Sequence, residues 1–118
     1  MIQGIGLDIV EMERIRKANA RGDKFTKRIL SPREQQKFIE LSPARQIEFL
    51  AGRFAAKEAF SKARGTGIGV GCEFTQIEIL NNAAGKPELF FNGIEVNGFV
   101  SITHSIEYAA AQVILMSI

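Results

Sequence analysis

Several residue types are scarce in this chain of 118 residues, and each scarcity narrows what the protein can be. There is no tryptophan, only one tyrosine and one histidine, and Cys72 is the single cysteine. One cysteine cannot form an internal disulfide, and the lack of His and Cys clusters argues against zinc. We therefore expect a structural role for Cys72 and a location in the reducing cytoplasm. No apolar run approaches the ~20 residues of a membrane span, and the first residues do not resemble a signal peptide.

The charged residues are distributed unevenly along the chain. The net charge is only +2, yet fourteen of the 15 lysines and arginines precede residue 65. They are densest between Arg14 and Arg28, where Asp23 is the only acidic residue. Such a basic segment favours an anionic partner, either nucleic acid, a phosphorylated cofactor or an acidic protein. An ordinary solvated helical surface fits the same pattern equally well.

The hydrophobic pattern predicts one α+β domain over residues 1–118. An N-terminal strand is followed by several helices, of which the last and longest runs from Ser42-Pro43 to about Arg64. Ser31-Pro32 and Ser42-Pro43 are typical helix starts, with Glu34 completing a capping box, and Gly65 is a natural helix end. The remaining strands should form an antiparallel meander. The predicted strands are Ile2–Val10, Thr75–Asn81, Pro87–Phe91, Phe99–Ser105 and Tyr108–Met116.

The end of the long helix carries charge where apolar residues are expected. At about 100° per residue, Glu58 and Lys62 continue the apolar stripe of Leu50 and Phe54. Arg53, Lys57 and Arg64 fall on a separate strip, which we expect to face solvent. A carboxylate on a buried face must find a cation, a metal or hydrogen-bond donors. The alternative is a surface ion pair between Glu58 and Lys62, four residues apart in the favourable order.

Two further side chains are candidates for the same site. Asp8 lies on a strand face with Gly4 and Gly6, which should leave open space beside the carboxylate. Asp8 and Glu58 would suit Mg²⁺, completed by water and phosphate oxygens. His104 lies on an apolar strand face with Val100 and Ile102, where a hydrogen-bonded core histidine is the more usual interpretation. Two carboxylates, a lysine, a histidine and many arginines suit phosphoryl transfer, in which positioning and charge neutralisation dominate.

Four segments resemble the signature motifs of one known family, in order and across nearly the whole chain. They are Gly4-Ile-Gly-Leu-Asp8 with its continuation to Arg14, Phe49 to Gly67, Gly85-Lys-Pro87, and Val100-Ser-Ile-Thr-His104-Ser105. The family is bacterial holo-[acyl-carrier-protein] synthase, the short, trimeric class of phosphopantetheinyl transferase. The resemblance implies Mg²⁺-dependent transfer of the 4'-phosphopantetheine arm of coenzyme A to a serine of apo acyl carrier protein. It also implies release of adenosine 3',5'-bisphosphate and a place in fatty acid biosynthesis.

The resemblance also implies roles for individual residues. Asp8 and Glu58 correspond to the metal ligands, with Mn²⁺ able to use the same oxygens. Glu58, directly or through a metal-bound water, is the candidate for taking the serine proton. Lys62 and His104 correspond to catalytic contacts with the phosphates of coenzyme A. The remaining coenzyme A residues implied by the resemblance are Arg45, Arg53, Gly65 and Pro87.

The basic segment acquires an explanation from the same resemblance. Acyl carrier proteins are strongly acidic, so the segment corresponds to a docking surface for them. Its members are Arg14, Arg21, Lys24, Phe25 and Arg28, with Met12 as an accompanying apolar residue. A homotrimer with sites shared between neighbouring subunits is implied as well.

Two rival functions remain for the sequence. A small nucleic-acid-binding module would use the basic segment, but it needs neither Asp8 nor Glu58 and lacks exposed aromatic stacking motifs. A subunit-assembly protein without chemistry leaves His104, Asp8 and the Glu58/Lys62 pair unexplained. Mg²⁺-dependent binding of coenzyme A is expected of the transferase alone.

Overall fold

An N-terminal strand is followed by helices to about residue 64 and then by the remaining strands, as the sequence pattern predicts. The structure is a computed structural model that describes residues 1–118. In chain order the elements are β1 (Ile2–Glu11), α1 (Met12–Ala20), α2 (Lys24–Ile29), α3 (Pro32–Ile39), α4 (Pro43–Arg64), a 3₁₀ helix (Phe74–Gln76), β2 (Ile77–Asn81), β3 (Pro87–Phe91), β4 (Ile94–Glu95), β5 (Gly98–His104) and β6 (Tyr108–Met116). The predicted α+β class is confirmed, and β4 is a short strand that the pattern did not reveal. No helix is long and apolar enough to cross a membrane.

The antiparallel strands divide between two sheets. One sheet has the order β1-β6-β5 and the other β2-β3-β4. In the first sheet Asp8 pairs with Ala111, and Ala111 pairs with Ile102 on the far side. Side chains at directly paired positions point to the same face, so Asp8 and Ile102 share the face that α4 covers.

The predicted helix ends agree with the structure. The Ser31 hydroxyl accepts a hydrogen bond from the Glu34 amide, and the Glu34 carboxylate accepts one from the Ser31 amide, which completes the capping box of α3. The Ser42 hydroxyl caps α4 by accepting a hydrogen bond from the Arg45 amide. Gly65 ends α4 at φ 86°, a conformation that glycine adopts without steric cost.

Glycines in β1 bring the sheet against the backbone of α4. A Cβ atom at Gly6 would overlap the carbonyl oxygen of Ala59, and one at Gly4 would overlap that of Ala63. The prediction that these glycines leave open space beside Asp8 is therefore wrong, because the helix backbone occupies that space. The close approach places the C-terminal half of α4 directly beside Asp8.

We expect Gly6→Ala to lower the free energy of unfolding by about 1–3 kcal/mol or more, since two backbone segments must separate. Gly69→Ala is the matched control, because a Cβ there would meet nothing within 4 Å and its φ is not in the left-handed region. Urea denaturation of both variants measures the difference. Equal losses in the two variants would contradict the close-packing explanation.

The middle of α4 is buried on all sides. Every residue from 50 to 57 is buried, including Arg53 and Lys57. The prediction of a solvent-facing strip is therefore wrong for these two residues and correct only for Arg64, which is exposed. The Lys57 ammonium pairs with Glu34 at 2.5 Å and donates to the carbonyl oxygens of Ile29 and Phe74. One buried cation thus joins α2, α3, α4 and the 3₁₀ helix.

The other face of the β1-β6-β5 sheet has no covering element. Ile5, Leu7 and Ile9 are 56%, 63% and 64% exposed on β1, and Phe99 on β5 is 55% exposed. Phe99 pairs with Ile114, which in turn pairs with Ile5, so these side chains form one continuous apolar surface. Apolar patches of this kind mark interaction sites.

Candidate active site

Three predicted site residues meet where β1 crosses the C-terminal half of α4. The Lys62 ammonium donates to Asp8 Oδ1 at 3.0 Å and to the Leu7 carbonyl oxygen at 3.0 Å. The predicted alternative, a surface pair between Lys62 and Glu58, is not among the ion pairs, because Lys62 pairs with Asp8 instead. We call Asp8, Glu58 and Lys62 the carboxylate group.

Glu58 is a half-buried carboxyl in a mixed electrostatic environment. Burial raises the pKa of Glu58, and the nearby Asp8 charge raises it further. Lys62, Arg14 and Arg28 act in the opposite direction, so these two arginines of the predicted docking surface lie close enough to influence this carboxyl. A carboxyl whose pKa is raised can exchange a proton nearer to neutral pH, which suits a general base.

The carboxylate group fits a divalent cation. Asp8 and Glu58 repel each other enough to raise the Glu58 pKa, and a cation between them would relieve that repulsion. Nowhere in the chain do three or more His, Cys, Asp or Glu side chains form a cluster that could hold a metal. Two hard oxygen donors suit Mg²⁺, which keeps several water or phosphate ligands and is seldom enclosed by protein alone.

A second group of predicted residues lines a separate cavity of about 400 Å³. Arg45 and Arg53 of α4 and His104 of β5 are among its lining residues, and none of the carboxylate group is. His104 is exposed, so the structure rules out the alternative of a hydrogen-bonded core histidine. We call Arg45, Arg53 and His104 the cationic group.

Arg53 is a buried guanidinium without a carboxylate partner. It donates to the Ile79 carbonyl oxygen at 3.1 Å and stacks on the Phe49 ring, 4.2 Å from the centroid, while its Nε has no hydrogen-bond partner. Burial lowers the pKa of Arg53 from its ordinary value, partly offset by Glu34. A buried cation that is left partly unsatisfied is unfavourable on its own, so the cavity is suited to an anion.

Three polar residues of this cavity were missed by the sequence reasoning: Lys37, Glu48 and Asn81. Lys37 adds a further cation from α3, and the Asn81 side chain accepts from Arg53 at 3.5 Å. Lys37 looks like an ordinary helix-surface residue in sequence, and no local signal distinguishes it. Pro87, a predicted coenzyme A contact, pairs with Asn81 across β2 and β3, which places it next to this cavity.

The predicted coenzyme A residues therefore do not converge within one chain. Gly65 ends α4 close to the carboxylate group, whereas Pro87 lies beside the cationic group. Arg45 and Lys62 are seventeen residues apart on α4, which corresponds to ~25 Å along the helix axis. The two groups are therefore separate within one chain, and we call each a candidate half-site.

The predicted docking surface lies on α1, α2 and the turn between them. Arg14, Arg21, Lys24 and Arg28 are exposed and Phe25 is half-buried. Met12 is only 3% exposed, so the expectation that it belongs to this surface is wrong. It packs in the hydrophobic core instead, because the chain turns from β1 into α1 at that residue.

The profile of the 4'-phosphopantetheinyl transferase superfamily matches residues 4–114. The chain belongs to this superfamily, which makes it an enzyme of the transferase class. The synthase of Shouchella clausii strain KSM-K16, a holo-[acyl-carrier-protein] synthase, is 53% identical over 115 residues, which cover 98% of each chain. That of Geobacillus sp. strain WCH70 is 54% identical, covering 98% of this chain and 97% of the relative.

A solved structure agrees with the sequence relatives. The crystal structure of a holo-(acyl-carrier-protein) synthase from Bacillus anthracis str. Ames, in complex with CoA (3',5'-ADP), superposes with a TM-score of 0.89. It is 49% identical and covers 100% of this chain and 99% of the other. The resemblance seen in the sequence is thus confirmed, and so is the fold that it implies.

Proposed function

We propose that the protein, acting as one transferase domain over residues 1–118, moves the 4'-phosphopantetheine arm of coenzyme A to a serine of apo acyl carrier protein. The observation that carries the proposal is the carboxylate group on α4 and β1 in a chain of this superfamily. The serine hydroxyl attacks the β-phosphorus, an O–P bond forms, and the bond to adenosine 3',5'-bisphosphate breaks. The serine proton passes to a Glu58 carboxylate oxygen, and the half-buried position of this carboxyl beside Asp8 supports the role.

Asp8 and Glu58 are the residues that would hold Mg²⁺. When bound, the metal would neutralise charge on the pyrophosphate and stabilise the leaving phosphate. Lys62, which donates to Asp8 and to the Leu7 carbonyl, would contact phosphate oxygens as a point charge. Arg45, Arg53 and His104 would bind the nucleotide end of coenzyme A, with Gly65 and Pro87 beside it. We also propose that the metal is Mg²⁺ or Mn²⁺, that the reaction serves fatty acid biosynthesis, and that the protein is cytoplasmic.

The half-sites become one site if neighbouring subunits share it. The carboxylate group of one subunit would face the cationic group of the next, in a cyclic homotrimer. The uncovered apolar surface of Ile5, Leu7, Ile9 and Phe99 supports this assembly, because three copies could bury it together. Light scattering should then give about three times the mass of one 13.0 kDa chain.

An intact-mass assay tests the activity. Apo acyl carrier protein incubated with coenzyme A, Mg²⁺ and the protein should gain one phosphopantetheine arm, and EDTA should prevent the gain. No gain with a folded protein and a competent carrier would overturn the proposed reaction.

Complementation tests whether the site is shared. Glu58→Gln and Arg53→Ala each disable a different half-site, so each variant alone should be inactive. Co-expressed at equal levels, they should recover about a quarter of wild-type activity, because half of the subunits retain each half-site and neighbours combine at random. No recovery in mixed trimers would place both half-sites in one chain.

The docking surface gives a prediction about substrate affinity. Arg14→Glu with Arg21→Glu should raise the KM for carrier protein by about tenfold or more and leave the KM for coenzyme A nearly unchanged, because an acidic partner is then repelled. Arg16→Glu with Lys27→Glu is the matched control: it makes the same change of net charge at residues already paired with Glu13 and Asp23. Similar increases of the KM for carrier protein in the two double variants would show that the carrier protein docks on another surface.

A further inference from the structure

Two of the docking arginines lie over phenylalanine rings. The Arg14 guanidinium carbon is 5.4 Å from the centroid of the Phe54 ring, and that of Arg28 is 5.8 Å from the Phe74 ring. Both distances are within the range of a cation–π contact. Neither arginine forms an ion pair within the chain, whereas Arg16 and Lys27 in the same segment do. The two guanidinium groups therefore keep hydrogen-bond donors available for carboxylates of a partner.

The rings beneath the arginines form one row. Phe54 stacks on Phe74 with centroids 5.5 Å apart and an interplanar angle of 23°, and Phe25 follows at 6.0 Å from Phe54. Phe54 and Phe74 are only 8% and 5% exposed, so their own surface is largely unavailable to a partner. A row of this kind is a rigid support, since each ring is packed against the next.

The buried Lys57 ammonium holds the Phe74 end of this row. It donates at 2.6 Å to the carbonyl oxygen of Ile29, the residue after Arg28, and at 3.0 Å to the carbonyl oxygen of Phe74. The backbone of Phe74 and that of Ile29, next to Arg28, are thereby tied to one atom. The support is also close to the carboxylate group, because Phe54 precedes Glu58 by four residues on α4 and both arginines influence the Glu58 carboxyl.

We propose that Phe54 and Phe74 are positioning residues that hold Arg14 and Arg28 in place to receive the acidic surface of the carrier protein beside Glu58. The inference rests on the proposed function and deepens it. A long flexible side chain loses rotamer freedom when it binds, and a guanidinium already held over a ring has lost part of that freedom in advance. The phenylalanines act through the arginines and do not touch the partner's carboxylates.

A double-mutant cycle tests this role. Phe74→Leu keeps an apolar side chain and the Phe74 carbonyl that Lys57 needs, but it removes the ring under Arg28. We expect a rise of about two- to fivefold in the KM for carrier protein, the size of an exposed cation–π contact, with kcat and the KM for coenzyme A unchanged. In an Arg28→Ala background the same substitution should have almost no further effect. Phe54→Leu with Arg14→Ala forms the parallel cycle.

Phe60→Leu is the matched control, because Phe60 is similarly buried, packs on Phe91 and carries no arginine. It should leave the KM for carrier protein at the wild-type value. Thermal unfolding should nevertheless show a loss of stability comparable to that of Phe74→Leu. An equal effect of Phe74→Leu with and without Arg28 would overturn the inference, and so would an equal effect of Phe60→Leu. A wild-type protein that transfers nothing would instead overturn the proposed function, and this inference with it.

Discussion

Glu58→Gln is expected to lower turnover by about 10²- to 10⁴-fold, the usual contribution of a general acid or base. Glutamine keeps the size of the side chain and removes both the proposed proton acceptor and one proposed anionic metal ligand. Asp8→Asn should cause a loss of similar order at ordinary Mg²⁺ concentrations. Single-turnover kinetics with saturating coenzyme A and carrier protein measure the chemical step directly. Near-normal rates in either variant would contradict the assignment of these carboxylates.

Glu58→Gln should also make the metal-free protein more stable. The pKa of Glu58 is raised in the folded protein, so the folded state binds its proton more tightly than the unfolded chain does. The stability contribution of such a group is complete below the unfolded pKa and is lost as the pH rises through the folded pKa. In metal-free buffer at neutral pH, Glu58→Gln should therefore raise Tm, and the gain should disappear in acid below the ordinary carboxyl pKa.

The control for both measurements is Glu40→Gln, at an exposed carboxylate that ends α3. It should change neither turnover nor Tm. A Tm of Glu58→Gln below that of the wild type at neutral pH would show that Glu58 supports the fold, and the loss of turnover would then need a structural explanation.

Lys57→Met should lower the free energy of unfolding by about 3–5 kcal/mol, the cost of leaving a buried charge without its partner. Glu34 would keep its carboxylate in the core without a cation, and the Ile29 and Phe74 carbonyl oxygens would lose a donor. Burial lowers the pKa of Lys57 and the Glu34 charge opposes that shift. Urea denaturation at neutral pH gives the difference in stability.

Lys27→Met provides the surface comparison, because Lys27 pairs with Asp23 and its side chain is 66% exposed. Lys27→Met should lower the free energy of unfolding by less than about 1 kcal/mol. A second comparison removes both buried charges: Lys57→Met with Glu34→Gln should recover part of the loss, since no uncompensated charge remains. Equal costs for Lys57→Met and Lys27→Met would show that the buried pair contributes no more than a surface pair.

The sequence alone was enough to predict those features that depend on interactions between residues close together in the chain. The capping box of Ser31 and Glu34 and the helix end at Gly65 depend on backbone groups within one turn, so the order of residues determines them. The same holds for the α+β order of elements, which follows from the change of hydrophobic period near residue 65. The motif segments were enough to identify the family.

Lys57 and Lys62 illustrate where the sequence is not enough. Both lie on α4, and a helical period assigns each residue an angle around the axis but not a depth of burial. Lys57 is buried because α2, α3 and the 3₁₀ helix, all distant in sequence, supply Ile29, Glu34 and Phe74 around it. Lys62 lies beyond that cover and meets Asp8 at the glycine-lined crossing of β1.

The amino-acid sequence by itself determined the class of fold, the helix ends and the set of residues able to carry phosphoryl transfer, because these depend on local geometry and on side-chain chemistry. The division of that set into a carboxylate group and a cationic group came from the packing of α4 across the β1-β6-β5 sheet. That packing brings Asp8 to one end of the helix and His104 to the cavity near the other, and such distances follow from the tertiary arrangement of elements far apart in the chain.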